Sequence, residues 1–294
     1  MEADVPFFWT QEFVRSNHPR LIMISGGSFR SIWNFREPCT FSSGFVGPFG
    51  GPLEIRSDTH LVPNVAQHWD KVIEASKDMG AKRLEIRTPP PVGIFSQTNL
   101  WLSRLPKELH PTRRVSELDH YLELDVPPAM RMNRNRRRDL KDLASSGYSS
   151  GTSHDALHQA IMVIGKNRQS KARNLTVNLT LAEKWLELAP DQVFVSWVRD
   201  SDGKIVAASL SVKLGISSGY VVQWGHLEVE KLRPSPMALL ALEVANTFAQ
   251  RGTKELFLGS SSNNGNVDEG LRRFKLSLGA LEVEKQSWLV ELRT

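Results

Sequence analysis

The chain has 294 residues, of which 40% are hydrophobic and 23% are charged, and its formal net charge is +5. This composition is ordinary for a soluble globular protein, and the length suffices for one large or two medium domains. The positive charge favours an anionic partner, such as a nucleotide sugar, a CoA tail or RNA, and does not choose among them.

Three features of the sequence bear on where the protein works. Cys39 is the single cysteine, which excludes an internal disulfide and fits a reducing compartment. The N-terminal residues lack the basic and then apolar pattern of a secretory signal, and no apolar run approaches the ~20 residues that a membrane span needs. We therefore expect a cytoplasmic protein.

The first part of the chain predicts strands, one long helix and an irregular stretch, and it ends at Pro127-Pro128. Apolar spacing near 3.6 residues predicts the helix, which Gly80 closes, and alternation predicts the strands. The strands are expected at 21–24, 29–35, 84–86 and 120–125, the helix at 62–79 and the irregular stretch at 89–118.

The second part of the chain reads as helices followed by a three-stranded meander, a long helix and a closing strand–helix–strand unit. Gly279 is the predicted left-handed cap of the last helix. Helices are expected near 131–147, 156–165, 182–188, 237–249 and 271–278, and strands at 192–199, 204–213, 220–224, 255–258 and 281–292.

The densest positive run opens the helix near residue 131. Arg134, Arg138 and Lys141 share one helical face, and Arg137 adds to the charge. This helix is either a solvated basic surface or a site that contacts phosphate or RNA, because arginine binds phosphate bidentately.

Farther along, His154, Asp155 and His158 lack a further anchored ligand and are better explained as a helix start capped by Ser153 or Asp155, so we predict no metal.

A polar loop and a basic helix follow the strand at 255–258. Ser260 and Ser261 lie in the loop, and Arg272, Arg273 and Lys275 lie on the helix. Free backbone N–H groups at a helix start favour negative charge, so the unit is a candidate anion site. A surface helix with a solvated basic face explains the same residues. No phosphate loop with a following Lys-Ser/Thr is present, which argues against a nucleoside triphosphatase.

The pattern Gly270-Leu271-x-x-Phe274-Lys275-x-x-x-Gly279-Ala280 resembles the C-terminal signature of the FemAB-type aminoacyltransferases, within the GNAT-like N-acyltransferases. Residues 220–225 and 236–243 resemble that group's strand before the long helix and the start of that helix. The resemblance covers about residues 190–294. It implies an α/β (α+β) fold of two tandem GNAT-like halves, residues 1–128 and 129–294, with mixed, mostly antiparallel sheets flanked by helices.

The resemblance also assigns roles to residues. Phe274 and Lys275 fall on the family's catalytic pair, in which the lysine stabilises negative charge in the transition state. Tyr220, Gln223 and Trp224 fall on positions that line the acceptor cleft. The alternative is that Phe274 is core, Lys275 is solvated and the strand residues form a half-buried face. No nucleophile–base set is spaced for a covalent intermediate, so direct attack in a ternary complex is favoured.

The acyl donor is indicated by the segment that precedes the long helix. Where acetyl-CoA-using relatives carry glycines that bind pyrophosphate, this chain has Pro234 and Pro236, and proline lacks the N–H that would bind phosphate. Lys231 and Arg233 supply charge there. The resemblance therefore implies an acyltransferase without a resident cofactor, which uses aminoacyl-tRNA and acts on a small-molecule or nucleotide-sugar amine. An acetyl-CoA-dependent N-acetyltransferase and a non-catalytic module that binds an anionic ligand or RNA remain alternatives.

Overall fold

The computed structural model describes residues 21–26, 28–36, 39–43, 53–54, 61–107, 109–227 and 234–292. The chain forms two compact units. The first unit comprises Met1–Asp119, Ser260–Asp268 and Val283–Thr294, and the second comprises His120–Gly259 and Glu269–Glu282.

The first unit is built on a mixed sheet with the strand order β1-β2-β3-β5-β14, and β4 also pairs with β2. Only the β3–β5 pair is parallel among the pairs β1–β2, β2–β3, β2–β4, β3–β5 and β5–β14. Its strands are β1 (Leu21–Gly26), β2 (Phe29–Arg36), β3 (Thr40–Ser43), β4 (Leu53–Glu54), β5 (Arg83–Arg87) and the end of β14 (Leu281–Glu291), and its helices are α1 (Leu61–Asp78) and α2 (Thr98–Ser103).

Large aromatic side chains fill the core of this unit. Trp69 on α1 stacks on Trp101 of α2 with 4.1 Å between ring centroids, and its Nε1 donates to the Trp101 carbonyl oxygen at 2.9 Å. Trp33 of β2 stacks on Phe41 of β3 at 5.0 Å. These rings are fully buried, and aromatic side chains of this size dominate the energetics of a core.

The second unit contains a sheet with the order β11-β10-β9-β8-β7, in which all neighbours are antiparallel except β10 and β11. Helix α7 packs on one face through Gly219, where an added Cβ would lie 2.5 Å from the Phe248 ring. The strands are β7 (Ser149–Thr152), β8 (Val193–Arg199), β9 (Ile205–Leu214), β10 (Ser218–His226) and β11 (Glu255–Ser260). The helices are α3 (Pro128–Arg131), α4 (Arg134–Ser145), α5 (Leu157–Ser170), α6 (Leu179–Leu188), α7 (Met237–Ala249) and α8 (Glu269–Ser277).

These elements confirm the predicted mixed α/β class with mostly antiparallel strands. The long helix at 237–249 and the cap of the last helix agree with the prediction, since Gly279 has φ +87°. A Cβ at Gly279 would lie 2.5 Å from the Arg131 carbonyl oxygen, so glycine is required there on two grounds. The Ser153 hydroxyl caps the helix start by accepting from the Asp155 N–H at 3.3 Å.

The irregular stretch predicted for 89–118 is wrong from Pro111 onward, because β6 (Pro111–Glu123) begins there. Its first half carries exposed, charged side chains on consecutive positions, such as Arg113 and Arg114, so no alternation marks it. A strand of this kind is held by backbone pairing with distant segments, which local pattern does not reveal.

The polar loop predicted after the strand at 255–258, over residues 259–266, is also incorrect in part. The last residues of β11 extend into it, and β12 (Ser262–Asn263) pairs with β13 (Asn266–Val267) in a short hairpin. Asn264 and Gly265 have φ of +52° and +83°, as a two-residue Asn-Gly hairpin turn requires.

The two units are discontinuous in sequence, because 260–268 and 283–294 belong with the N-terminal residues. The division into GNAT-like halves at 1–128 and 129–294 stays a prediction. Strand β6 and strand β14 each contribute residues to both units.

Candidate active site

The parallel strands β10 and β11 pair over a short distance only. Their register runs from Ser218–Glu255 to Tyr220–Phe257, yet β10 continues to His226 and β11 to Ser260. Beyond Tyr220, β10 stays paired with β9 and carries a bulge between Val221 and Gln223. The backbone of β11 beyond Phe257 therefore needs other hydrogen-bond partners on its β10 side.

Lys275 supplies one of these partners. Its side chain is 1% exposed, and its Nζ donates to the Gly259 carbonyl oxygen at 2.6 Å. Gly259 has φ +76°, and a Cβ added there would lie 3.6 Å from the Tyr220 Oη. Lys275, Gly259 and Tyr220 thus lie together where the two strands separate. An ammonium group in this position is shielded from water, where its electrostatic interactions are stronger.

Phe274 and Trp224 are also brought together. Their rings meet edge to face with 5.9 Å between centroids, and the Arg136 guanidinium lies 5.4 Å from the Phe274 ring centroid. Arg136 is oriented by its bonds to Ser277 Oγ and Asp139 Oδ2, both at 2.9 Å. These contacts attach α8 to β10 and α4, which fixes the direction in which Lys275 points.

Gln223 is 1% exposed and braces the segment before α6. Its Oε1 accepts from the N–H groups of Thr176 and Val177 at 3.2 Å, and its Nε2 donates to the Val177 carbonyl oxygen at 2.7 Å. The carboxamide is therefore committed to the backbone. A direct contact of Gln223 with an acceptor stays a prediction.

Arg272 is paired with carboxylates. It donates to both oxygens of Glu282 at 2.5 and 3.0 Å and to Glu269 at 3.4 Å. The hydrogen bond from Arg272 holds the pKa of the Glu282 carboxyl below its usual range, and Glu282 in turn raises the pKa of Arg272. The two carboxylates neutralise the positive charge of Arg272, which would otherwise attract an anionic ligand to this helix. Arg273 is exposed and donates to the Glu269 carbonyl oxygen at 3.1 Å.

His120 is a buried residue of this region that sequence reasoning missed. It has no exposed surface, and its Nε2 lies 3.3 Å from Glu282 Oε1. In the sequence it was one residue of a predicted strand, and no local signal sets it apart. The contact joins residues 162 positions apart, which explains why only the fold places His120 beside Glu282.

Ser260 and Ser261 belong to the first unit and bond to β6. The Ser260 hydroxyl donates to the carbonyl oxygens of Leu118 and Ser262 at 3.0 Å, and the Ser261 N–H donates to the Leu118 carbonyl oxygen at 2.8 Å. Ser261 is 1% exposed. Their predicted role in anion binding stays a prediction.

Helix α4 presents the basic residues that the sequence indicated. Arg134, Arg138 and Lys141 are exposed, and the N–H of Arg136 is capped by Asn133 Oδ1 at 3.0 Å. Arg137 donates to the carbonyl oxygens of Met130 and Met132 at 3.3 and 2.8 Å. Lys231 and Arg233 lie outside the residues that the structure describes.

A separate cavity of about 520 Å³ lies at the opposite edge of the second unit's sheet. None of the predicted site residues lines it; its walls are Thr152, Ser153, His154, Pro190, Asp191, Phe194, Lys213 and Arg251.

Within the described ranges, no group of three or more His, Cys, Asp or Glu residues is arranged to hold a metal ion. Within the same ranges, no helix is both long and apolar enough to cross a membrane.

The chain is similar to known proteins in structure and not in sequence. No protein-family model matches it, and no curated protein matches it either. FemX superposes with a TM-score of 0.63 at 11% identity, over 98% of this chain and 92% of that chain. L-PGS from Bacillus licheniformis gives 0.62 at 11% identity, over 99% and 94%.

A tandem GNAT protein from the clavulanic acid biosynthesis pathway gives a TM-score of 0.52 at 11% identity, over 93% of this chain and 84% of that chain. At these identities the likeness establishes the fold alone. The GNAT-like fold expected from the C-terminal signature is confirmed, and this chain shares it with FemX, L-PGS and the tandem GNAT protein.

Proposed function

We propose that the protein is an N-acyltransferase that moves an aminoacyl group from aminoacyl-tRNA to an amine of a small or nucleotide-linked acceptor. One observation carries the proposal: the buried Lys275 ammonium at the point where β10 and β11 separate. The Phe274-Lys275 signature and the fold shared with FemX and L-PGS support it.

The reaction requires stabilisation of negative charge. The amine nitrogen of the acceptor attacks the ester carbonyl carbon, a C–N bond forms, the C–O bond to the ribose breaks, and the amine proton passes to the departing oxygen. The carbonyl oxygen becomes negatively charged on the way. The Lys275 ammonium group, which donates to the Gly259 carbonyl oxygen, lies in a water-excluded site, where a hydrogen-bond donor stabilises such an oxyanion strongly.

In this proposal the exposed cations of α4, Arg134, Arg138 and Lys141, together with Arg137, contact the phosphates of the RNA donor. Lys231 and Arg233 supply further charge. Contacts of this kind are independent of RNA sequence and weaken steeply with salt. Tyr220 and Trp224 line the acceptor side, and no resident cofactor takes part.

The donor is tested by offering both candidates to the same protein. Transfer of label from charged tRNA to a panel of amines, including amino sugars and nucleotide-linked amines, is measured beside thiol release from acetyl-CoA. We expect transfer from charged tRNA. Thiol release without RNA-dependent transfer would instead favour an acetyl-CoA-dependent enzyme, and no reaction with either donor would favour a non-catalytic binding module.

Replacement of Lys275 tests the catalytic assignment. We expect Lys275→Met to lower turnover by roughly 10²–10³-fold, the usual effect of removing a donor to a developing oxyanion. Stability should fall by only about 1–3 kcal/mol, because the Gly259 carbonyl loses its partner. Turnover is measured with charged tRNA, and stability is measured by urea denaturation.

Leu276→Ala, at the next and exposed position of α8, is the matched control and should retain turnover. A folded Lys275→Met variant with the turnover of the unmodified protein would remove Lys275 from the mechanism.

A further inference from the structure

Arg168, near the end of α5, is a half-buried cation without a partner in the part of the chain that the structure describes. Its side chain makes no hydrogen bond or ion pair with any described residue. Ile161 and Ile164, seven and four positions earlier, are buried, so Arg168 lies on the helix side that faces the sheet. Because the residue is only half-buried, its side chain remains partly exposed to solvent.

Helix α5 is held closely against β10 beside this residue. A Cβ at Gly225 would lie 2.8 Å from the Asn167 Cβ, and Asn167 Nδ2 donates to the His226 carbonyl oxygen at 2.8 Å. Arg168 follows Asn167, and its pKa is lowered by burial and Arg173 and raised by Tyr220 of β10. A Cβ added at Gly259 would lie 3.6 Å from the Tyr220 Oη, and Lys275 donates to the Gly259 carbonyl oxygen.

The position is electrostatically unfavourable for the protein alone. Burial, and then the positive charge of Arg173, lower the pKa of Arg168. Arginine nevertheless remains charged, and a partly desolvated charge without a counter-charge costs free energy. Within the surrounding sequence, residues 156–182 contain no Asp or Glu, while Lys171 adds another positive charge.

We propose that Arg168 binds a phosphate group of the substrate beside Lys275. The inference rests on the proposed function and adds a residue and a ligand chemistry to it. A guanidinium binds phosphate through two parallel hydrogen bonds, and no carboxylate among the described residues occupies the donors of Arg168. The phosphate comes either from the 3′ end of the RNA donor or from a nucleotide-linked acceptor.

Binding to Arg168→Gln and Arg168→Lys distinguishes these sources. Calorimetric titration uses two probes, a stem-loop RNA with a single-stranded 3′ end and a nucleoside diphosphate. We expect Arg168→Gln to weaken one of them about tenfold or more, and Arg168→Lys to weaken it less. Loss for the RNA assigns the phosphate to the donor, and loss for the diphosphate assigns it to the acceptor.

Lys166→Gln is the matched control, because Lys166 is exposed and points away from the sheet on the same helix. This variant removes one positive charge from the same helix, as Arg168→Gln does, but on its exposed side. Binding of the affected probe should therefore stay within about twofold of that of the unmodified protein.

Thermal unfolding without ligand separates this role from a structural one. Removal of an unpaired, half-buried charge should leave the midpoint unchanged or raise it by a few degrees, whereas loss of a structural contact would lower it. The inference is overturned if Arg168→Gln binds both probes as the unmodified protein does, or if the unmodified protein binds neither. Because binding is measured without turnover, this test of Arg168 is independent of the test of Lys275.

Discussion

At the scale of single residues, burial determines the chemistry of His68 on α1. Its side chain has no exposed surface, and its Nε2 lies 2.8 Å from Ser31 Oγ. Trp33 Nε1 donates to the same hydroxyl oxygen at 2.6 Å, so Ser31 joins His68 to Trp33 inside the core. Burial lowers the pKa of His68 to about 4, although backbone carbonyl groups of Phe29 and Gly26 act in the opposite direction.

This shift predicts a pH dependence of stability. Between pH 6.5 and about 4 the unfolded chain protonates His68 while the folded protein does not, so the free energy of unfolding falls as the pH falls through this window. The full effect is on the order of 3 kcal/mol. His68→Gln should be less stable near neutral pH and should show a smaller loss of stability from pH 6.5 to 4 in urea denaturation. An identical pH profile in both proteins would contradict the prediction.

The residue scale also separates what the sequence could and could not predict about the site. The signature around Lys275 is local, so the motif located it. Its partner Gly259 comes from a different strand, which the motif does not specify. Gln223 shows the converse: the motif placed it at the acceptor cleft, and the fold commits its carboxamide to the backbone of Thr176 and Val177.

At the scale of elements, the contact between α5 and β10 positions Arg168 and Tyr220. It depends on the absence of a side chain at Gly225, which lets Asn167 approach the strand. A second glycine, Gly165, lies inside α5. A Cβ added there would fit without a clash, because its nearest neighbour, Leu175 Cδ1, would be 3.6 Å away. The two glycines therefore have different physical roles in one interface.

Alanine at these positions should act in opposite directions. Gly165→Ala is expected to stabilise the protein by about 0.5–1 kcal/mol, because alanine favours a helix interior over glycine. Gly225→Ala is expected to destabilise it by about 1–3 kcal/mol, because Asn167 and the helix must move away. Urea denaturation of both variants measures this. Equal effects of the two substitutions would show that the helix does not pack on the strand as described.

At the scale of the whole molecule, the C-terminal strand completes the sheet of the first unit. Residues 287–291 of β14 pair with residues 83–87 of β5, and Val290 is fully buried in that unit's core. The first unit thus depends on residues 200 or more positions away in the chain. Chain order alone suggested a boundary near Pro127-Pro128, because prolines and a change in pattern coincide there.

A fragment of residues 1–128 is accordingly expected not to fold cooperatively. It lacks the strand that pairs with β5, and the β5 edge and the core around Val290 would be open to water. The same fragment joined by a flexible linker to residues 281–294 should recover a cooperative unfolding transition. Circular dichroism during heating compares the two. Cooperative folding of 1–128 alone would support the contiguous division.

The sequence by itself determined most of the elements, because helix periodicity, strand alternation and the Gly279 cap are local properties of neighbouring residues, and the resemblance of its C-terminal signature implied the fold class. It also located Lys275 through a short signature. Only the tertiary structure decided that Lys275 is buried on the Gly259 carbonyl, that Arg272 is paired with Glu282, and that Arg168 bonds to none of the residues that the structure describes. These facts arise from contacts between residues far apart in the chain, whose burial and charge balance no local pattern specifies.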